Sequence, residues 1–519
     1  MTLKPIILFV AFTLSSFKVA AQLLFAPSTN TPVIEYPYDA VELPGNRYAL
    51  SIAKRTGVLP NDYSFMELVI TDSVGAIEHY VMYPGDSSVN IYPRDLFYKD
   101  GILYSVALLD SVYQSPRFLH ISAWDTALNQ IYEKVHSICD SGWFIVESYS
   151  EIYGDYIYSI ESRAAVGDDV GNVTHPLISK YDLNGDLYDR KEIDTTFFSQ
   201  FAGGDNYTVI IEDLSVSSDG AIYFSFPGGR IGGGRGGYIE QYIARTDTGL
   251  NLQSLGKFAC WDAQCDTTYG GYYAKRLWAA SGSTVYGLFL TTAEPPLIYR
   301  NGLTKMSLPA GTFNNAYKPE TLTLIPDNTM GVSLVKILGR ETISVFQDRI
   351  FSLGMDYHSF SPAVNHLIIS RSDTNGQIVW TKYLPSDVRP FEPRFILATT
   401  DGGCLVGASE LGGITNRYDH YIFKLDGNGH FTSVQRLEQA KERIVKVYPN
   451  PASSVLNFEL DKAGEYSIVI SDMNGRRVLQ NRVKGASQTF EVSHLAEGMY
   501  QYAVYGAEGV IDSGLLLKQ

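Results

Sequence analysis

The sequence predicts an all-β protein: a β-propeller of about seven four-stranded blades followed by a small C-terminal β-sandwich. Three observations predict it. A turn leading into an alternating strand recurs seven times, a strand–turn–strand unit led by Asp follows most copies, and charge and motif change together near residue 440. The composition agrees. Of 519 residues 45% are hydrophobic and 13% aromatic, with 46 Gly and 36 Tyr, which suits short strands joined by tight turns. That apolar fraction excludes a disordered chain, and 19% charged residues is too few for a coiled coil.

The first residues form an export signal. Lys4 precedes an apolar run from Pro5 to Leu14, and small residues then lead to Val19-Ala20-Ala21. This order of charged, apolar and small-residue regions predicts a signal peptide over residues 1–21, cut between Ala21 and Gln22. The run is too short to cross a bilayer, and no later stretch reaches the roughly 18 to 20 apolar residues a spanning helix needs, so no transmembrane span is expected.

The repeats fill residues 22–439. The turn-and-strand half reads Asp100-Gly101-Ile102-Leu103-Tyr104, Gly154-Asp155-Tyr156-Ile157-Tyr158 and Asp219-Gly220-Ala221-Ile222-Tyr223. Looser copies start at Gly45, Gly282, Asp348 and Asp401, so the spacing averages roughly 59 residues, the scale of a propeller blade. The second half reads Tyr181-Asp182-Leu183-Asn184-Gly185, Thr246-Asp247-Thr248-Gly249, Asp373-Thr374-Asn375-Gly376 and Asp426-Gly427-Asn428-Gly429. Weaker versions sit at Asp72 and Asp125, and in the fifth unit Pro295-Pro296 and Asn301-Gly302 stand in for the Asp-led turn. Asp accepts hydrogen bonds from a turn backbone, and Asn-Gly tolerates the positive φ of a tight hairpin. A β-helix would need a shorter repeat, and separate sandwiches would need linkers that the sequence lacks.

Residues 440–519 carry nine basic and nine acidic residues, against 30 basic and 47 acidic in residues 22–439, so a domain boundary is expected at 439/440. Alternating runs at Val455–Leu460, Tyr466–Ser471, Arg477–Gln480, Thr489–Val492 and Met499–Tyr505 predict a small antiparallel sandwich, with Asn474-Gly475 as a two-residue hairpin turn. The entry Tyr448-Pro449-Asn450-Pro451, the start Gly464-Glu465-Tyr466, Asp472-Met473-Asn474-Gly475-Arg476, Leu495-Ala496-Glu497-Gly498-Met499-Tyr500 and the terminal Lys518 appear in this order. Together they resemble the C-terminal sorting domain of the bacterial type IX secretion system. The resemblance implies export through the periplasm, recognition by the outer-membrane translocon and its sorting protease, and release or attachment at the cell surface. It covers about one-seventh of the chain.

Chemistry is harder to find. The sequence holds no His-Glu-x-x-His, Gly-x-Ser-x-Gly or phosphate-loop Gly-Lys-Ser/Thr, and its nine His are scattered singly. No catalytic residue, metal site or cofactor is assigned. A formal charge of −15 disfavours nucleic acid as a partner. Asp182 to Asp186 faintly resembles a calcium loop but reads better as a hairpin turn.

The run from Gly228 to Gly237 holds Arg230 and Arg235 among seven glycines, whose backbone N–H groups can cradle an anion. An ordinary inter-strand loop is the commoner meaning of such a run. Tyr269, Tyr272 and Tyr273 follow in what reads as a neighbouring loop, where Tyr can stack on a sugar or peptide or simply pack. Cys260 and Cys265 are spaced to close a small disulfide in an exported protein, Cys404 reads as buried in a strand, and a Cys139–Cys404 bridge is not expected. The leading expectation is a secreted or surface-displayed protein whose propeller binds a glycan, a peptide or a surface partner. A secreted hydrolase or lyase with an active site in the propeller, and a structural component of the cell surface, are the alternatives.

Overall fold

A computed structural model describes residues 34–55, 64–73, 75–83, 89–110, 118–139, 143–165, 174–193, 211–229, 239–258, 272–293, 298–317, 321–324, 334–336, 342–357, 365–386, 391–410, 419–433, 445–449, 452–472, 477–496, 498–506 and 509–518. The chain divides into two compact units, Met1–Leu437 and Glu438–Gln519.

The first unit is a ring of seven antiparallel blades. Blade 1 is β1 (Ile34–Leu43), β2 (Arg47–Arg55), β3 (Ser64–Thr71) and β4 (Ile77–Tyr83). Blade 2 is β5 (Asn90–Lys99), β6 (Ile102–Asp110), β7 (Phe118–Trp124) and β8 (Gln130–Ser137). Blade 3 is β9 (Trp143–Tyr153), β10 (Tyr156–Ala165), β11 (Thr174–Asp182) and β12 (Leu187–Glu192). Blade 4 is β13 (Asp213–Val216), β14 (Ile222–Gly229), β15 (Ile239–Thr246) and β16 (Leu252–Phe258). Blade 5 is β17 (Tyr272–Ala279), β18 (Thr284–Ala293) and β19 (Ile298–Ser307), after which β20 (Phe313–Tyr317) leaves to pair in parallel with β16 before β21 (Thr321–Leu324) completes the blade. Blade 6 is β22 (Leu334–Lys336) and β23 (Ile343–Phe346), both paired to β24 (Arg349–Tyr357), then β25 (Asn365–Asp373) and β26 (Ile378–Ser386). Blade 7 is β27 (Phe391–Ala398), β28 (Cys404–Glu410), β29 (Asp419–Leu425) and β30 (Phe431–Ser433).

The first strands touch in cyclic order, β1 to β5, β9, β13, β17, β23, β27 and back to β1, so they line the axis. The last strands lie at the rim, where β4 and β8 are mostly exposed. Alternation then gives each blade two apolar faces, and buried clusters fill the seams. Tyr158, Ile160, Phe224 and Phe226 sit between blades 3 and 4, and Phe351, Leu353, Val406 and Phe423 between blades 6 and 7. Among the described residues no strand is shared between blades 1 and 7. There Phe395, Leu405 and Ile422 pack on Ala40, Tyr48, Leu50 and Ile52, and Glu42 accepts from Thr400 N and Oγ1, each at 2.7 Å.

The Asp-led turns are built alike in six blades. Each Asp N–H donates to the carbonyl four residues on, and the fourth residue of the turn has positive φ. Asp125, Asp182, Asp373 and Asp426 each accept two further N–H groups on Oδ1. Blade 5 departs from the expectation. Asn301-Gly302 lies inside β19, where the blade needs a full-length strand to pair β18, and the turn that replaces the Asp motif is at Pro309 to Gly311.

The second unit is a sandwich of β31 (Val445–Tyr448), β32 (Val455–Asp472), β33 (Arg477–Glu491), β34 (Gly498–Gly506) and β35 (Gly509–Lys518). Four of the runs expected as separate strands fuse pairwise into β32 and β33. Both bend where the register breaks between Glu459 and Gly464, opposite Gly485 at φ 132°, so each strand serves both halves of the sandwich. The last strand, β35, was not expected. Phe458, Phe490 and Tyr502 centre the core in edge-to-face contacts.

Candidate functional site

In a four-stranded meander the first and third connections leave one end of the sheet and the second and fourth leave the other. In this ring the tight Gly and Asp-led turns all fall on one face. They are also stapled there: Tyr132 OH donates to Leu183 O at 2.8 Å, Lys191 Nζ to Gly249 O at 2.7 Å, Tyr286 OH to Thr374 O at 3.0 Å and Arg371 Nη1 to Gly427 O at 2.7 Å, each reaching the next blade. The longer connections, such as 56–63, 166–173, 194–210, 259–271 and 411–418, all join strand ends on the opposite face.

At that opposite face the inner strands share a bulge. The register breaks at Pro37/Asp39, Pro93/Asp95, opposite Ser162/Arg163, at Ala274/Arg276 and at Pro393/Phe395. Proline fits because a bulge needs no ladder N–H there. The repeats Tyr36-Pro37-Tyr38-Asp39, Tyr92-Pro93-Arg94-Asp95 and Glu392-Pro393-Arg394-Phe395 are the sequence signal, legible as a Pro inside an otherwise strand-like run. By register, Tyr36, Tyr92, Phe144 and Tyr273 hold the same place on four blades.

The side chains around these bulges form a polar collar. Asp39 Oδ2 accepts the Leu96 N–H of the next blade at 2.7 Å, and Asp213 Oδ2 accepts that of Leu277 at 2.5 Å. Arg94 reaches Glu147 at 3.8 Å, Arg163 pairs with Glu192 at 3.0 Å beneath the Trp143 ring, and Arg394 bonds Glu392 at 2.5 Å while lying over Tyr36 at 4.3 Å. Lys54 and Glu67, both nearly buried, pair at 2.9 Å. Such a collar can offer both hydrogen-bonding senses and aromatic faces to a polar ligand.

Farther out, between blades 1 and 2, Glu133 accepts from Tyr83 OH and from Gln130, and lies 3.8 Å from His120 Nε2. Burial pushes the fully buried His120 down to about 4, and the Tyr83 hydroxyl holds Glu133 below the usual carboxylate range. The group is therefore a neutral, buried imidazole beside a carboxylate that stays exposed at the rim.

Of the residues singled out in the sequence, Tyr272 and Tyr273 belong to β17 rather than to a loop, because they pair Thr291 and Leu290 at the bulged end of blade 5. Arg230, Arg235, Tyr269, Cys260 and Cys265 lie outside the described residues, as do Ala21, Gln22, Asn450, Pro451 and Gly475. Cys139 and Cys404 are both buried, and burial pushes the Cys404 thiol up to about 12. Among the described residues no three His, Cys, Asp or Glu gather as metal ligands, and no helix is long and apolar enough to cross a membrane. In the sandwich, Tyr448 is exposed, Gly464 packs against the Tyr466 ring, Tyr500 OH donates to Ala496 O at 2.8 Å, and Lys518 pairs Gly498 at the end of β35.

Residues 446–516 match the family described as "Secretion system C-terminal sorting domain". The tail is thus the type IX sorting domain, and the chain is exported by way of the periplasm to the cell surface or the medium. No curated protein matches the chain. Among solved structures it is similar to the beta-propeller domain of the Trilobed protease from Pyrococcus furiosus, at 12% identity and a TM-score of 0.40 over 78% of this chain and 97% of that one. It is also similar to the Pyrococcus horikoshii acylaminoacyl peptidase, at 9% identity and 0.42 over 82% of this chain and 57% of that one. A third is the Penicillium chrysogenum alpha-L-arabinanase, at 10% identity and 0.37 over 78% and 97%. At these scores the propeller assignment rests on the seven-bladed ring itself.

Proposed function

We propose that this exported protein is a recognition module whose collar face binds a glycan, a peptide or a surface protein without a covalent step. In this reading residues 1–21 are the export signal, residues 22–439 the binding ring, and residues 440–519 the part handled by the translocon and its sorting protease. One observation carries the proposal: the two faces of the ring differ in kind. The turn face satisfies its own backbone and is pinned to neighbouring blades, while the bulged inner strands bring aromatic and ionisable side chains to the face that bears the longer connections. Loops on a rigid scaffold are where binding residues concentrate.

The test uses the purified chain from Gln22 onward against a panel of polysaccharides and surface proteins, following retention and product masses in the same samples. Retention without products, weakened by Arg394→Ala or Tyr273→Ala, is the expected result. Product masses would replace this reading with that of a secreted hydrolase or lyase. Neither retention nor products would leave a structural role at the cell surface.

A further inference from the structure

The seam between blades 2 and 3 encloses a carboxyl group that, among the described residues, has no cation upon it. Glu161 on β10 is fully buried, on the same face as Ile157 and Ser159, and Ile157 belongs to the apolar cluster of this seam. Ser159 Oγ donates to its Oε1 at 2.5 Å, Ser179 Oγ lies 3.5 Å from its Oε2, and Ser150 Oγ donates onward to Ser159 at 3.2 Å.

The charged and titratable groups around it are otherwise engaged. Arg190 on β12 spends its guanidinium on Ser179 Oγ, Tyr181 OH and the blade 2 carbonyl of Ser137, at 3.2, 3.3 and 3.4 Å. Arg163 turns to Glu192. From blade 2 the seam receives Val106, Leu108, Leu119 and Ile121, the Cys139 thiol, and His136, whose ring lies 4.7 Å from that of Tyr181 and whose Nε2 is 2.7 Å from Gly185 O. Burial holds His136 below the ordinary imidazole range, so it is not a ready counter-ion at neutral pH.

A carboxylate taken from water without an ion partner is strongly disfavoured, whereas a neutral acid can both donate and accept among hydroxyls. We propose that this seam is a pH-responsive joint, closed around protonated Glu161 in acidic medium and loosened when Glu161 ionises. The joint bears on the collar, because Arg94 and Glu147 bridge the same two blades. Burial pushes Glu161 up to about 7, against the opposing pull of Ser159, Arg190, Arg163 and Ser179. A folded-state value above the unfolded one makes the acidic side the stable side. The seam's extra stability is complete below the unfolded value near 4.5 and is lost as pH rises through about 7.

The test is hydrogen exchange on the full chain from pH 5 to pH 9, corrected for intrinsic rates, read in β9 and β10 with β18 and β24 as internal controls. The wild type should show opening in β9 and β10 that grows about a hundredfold across this range, within the roughly 300-fold that such a displacement allows. The controls should stay flat, and Glu161→Gln should flatten the seam. Opening independent of pH in the wild type, or an unchanged slope in Glu161→Gln, overturns the proposal. Should that variant not fold, infrared difference spectra of the wild type decide alone. A buried protonated carboxyl band present at pH 5 and lost by pH 9 supports the joint, and its absence at pH 5 refutes it.

Discussion

The blade 1–blade 7 seam should be the place where this ring opens first, and Phe395→Ala is the change that exposes it. Every other seam joins blades that are also neighbours in the chain, so a parted pair stays tethered. Among the described residues, blades 1 and 7 share no strand and meet through side-chain contacts. Phe395 is fully buried, packs on Ala40, Tyr48, Leu50 and Ile52 across the seam, and lies so close over Gly407 that a Cβ there would meet its ring at 2.2 Å. Truncating a buried Phe costs about 3–5 kcal/mol through lost transfer energy and the cavity left behind. Phe224→Ala, in the seam of blades 3 and 4, removes a ring of the same size from an equally buried site and should cost about the same by urea unfolding. The two variants should part in hydrogen exchange. Phe395→Ala is expected to speed exchange in β1 and β27 well beyond the other inner strands, whereas Phe224→Ala leaves β1 and β27 as protected as the wild type. Uniform loss of protection around the ring in Phe395→Ala would refute the idea that closure is the weak joint.

Other seams and turns give sharper single readings. Burial alone would raise the Asp401 carboxyl, but Lys424 Nζ at 2.7 Å, Thr399 Oγ1 and the Gly403 N–H together hold it below the usual range. Its contribution is therefore present above the unfolded carboxylate value and lost as pH falls through the lower folded one. Asp401→Asn should cost about 1–2 kcal/mol at pH 7, discounted for its exposed flank, and nearly nothing near pH 2 in paired urea titrations. Leu250 holds the positive-φ place of its turn at φ 60°, where blades 1, 3, 6 and 7 use Gly and blade 2 uses Leu128, and it is buried in the seam of blades 3 and 4. Leu250→Gly should lower the melting temperature despite the relieved backbone, because roughly 1.5–3 kcal/mol of burial outweighs a strain of about 1 kcal/mol. Gly429→Ala should destabilise by about 1 kcal/mol or more, since φ is 79° and a Cβ would press the Trp380 ring at 3.2 Å; an unchanged melting temperature would show that the turn relaxes freely.

The fold was legible because its signals are local. Asp182 with Gly185, and Asp426 with Gly429, announce a turn whose hydrogen bonds close within five residues, and such a unit repeated at blade spacing leaves few architectures. Blade 5 was misread where a local signal met a tertiary demand: Asn301-Gly302 is a good hairpin pair, but the blade needed a long third strand and the chain turned later. The fusion of β32 and β33 was hidden for the same reason, since a bend at Gly464 and Gly485 looks like a gap to anyone counting alternation. The collar was harder still. Arg94 and Glu147 are 53 positions apart, and Arg394 and Tyr36 stand at opposite ends of the ring sequence. Nothing in spacing along the chain brings them together. Only the shared Pro in Tyr36-Pro37, Tyr92-Pro93 and Glu392-Pro393 hinted that these strands bulge alike.

The difference between the two faces follows from what each connection must do with its backbone. An Asp-led turn satisfies its N–H groups with its own carboxylate and lends its carbonyls to the preceding blade, as Gly249 O does to Lys191 and Gly427 O to Arg371. Sequence drift there costs both the turn and the seam, so that face is held to one design. On the opposite face the bulges at Pro37, Pro93 and Pro393 shift the register before pairing resumes to the strand ends, and the latches from Asp39 and Asp213 fix inner strands of neighbouring blades to one another. What holds the inner strands at this face therefore lies within the strands, whereas the other face is held by its turns. A binding surface has room to differentiate on the collar face and almost none on the other.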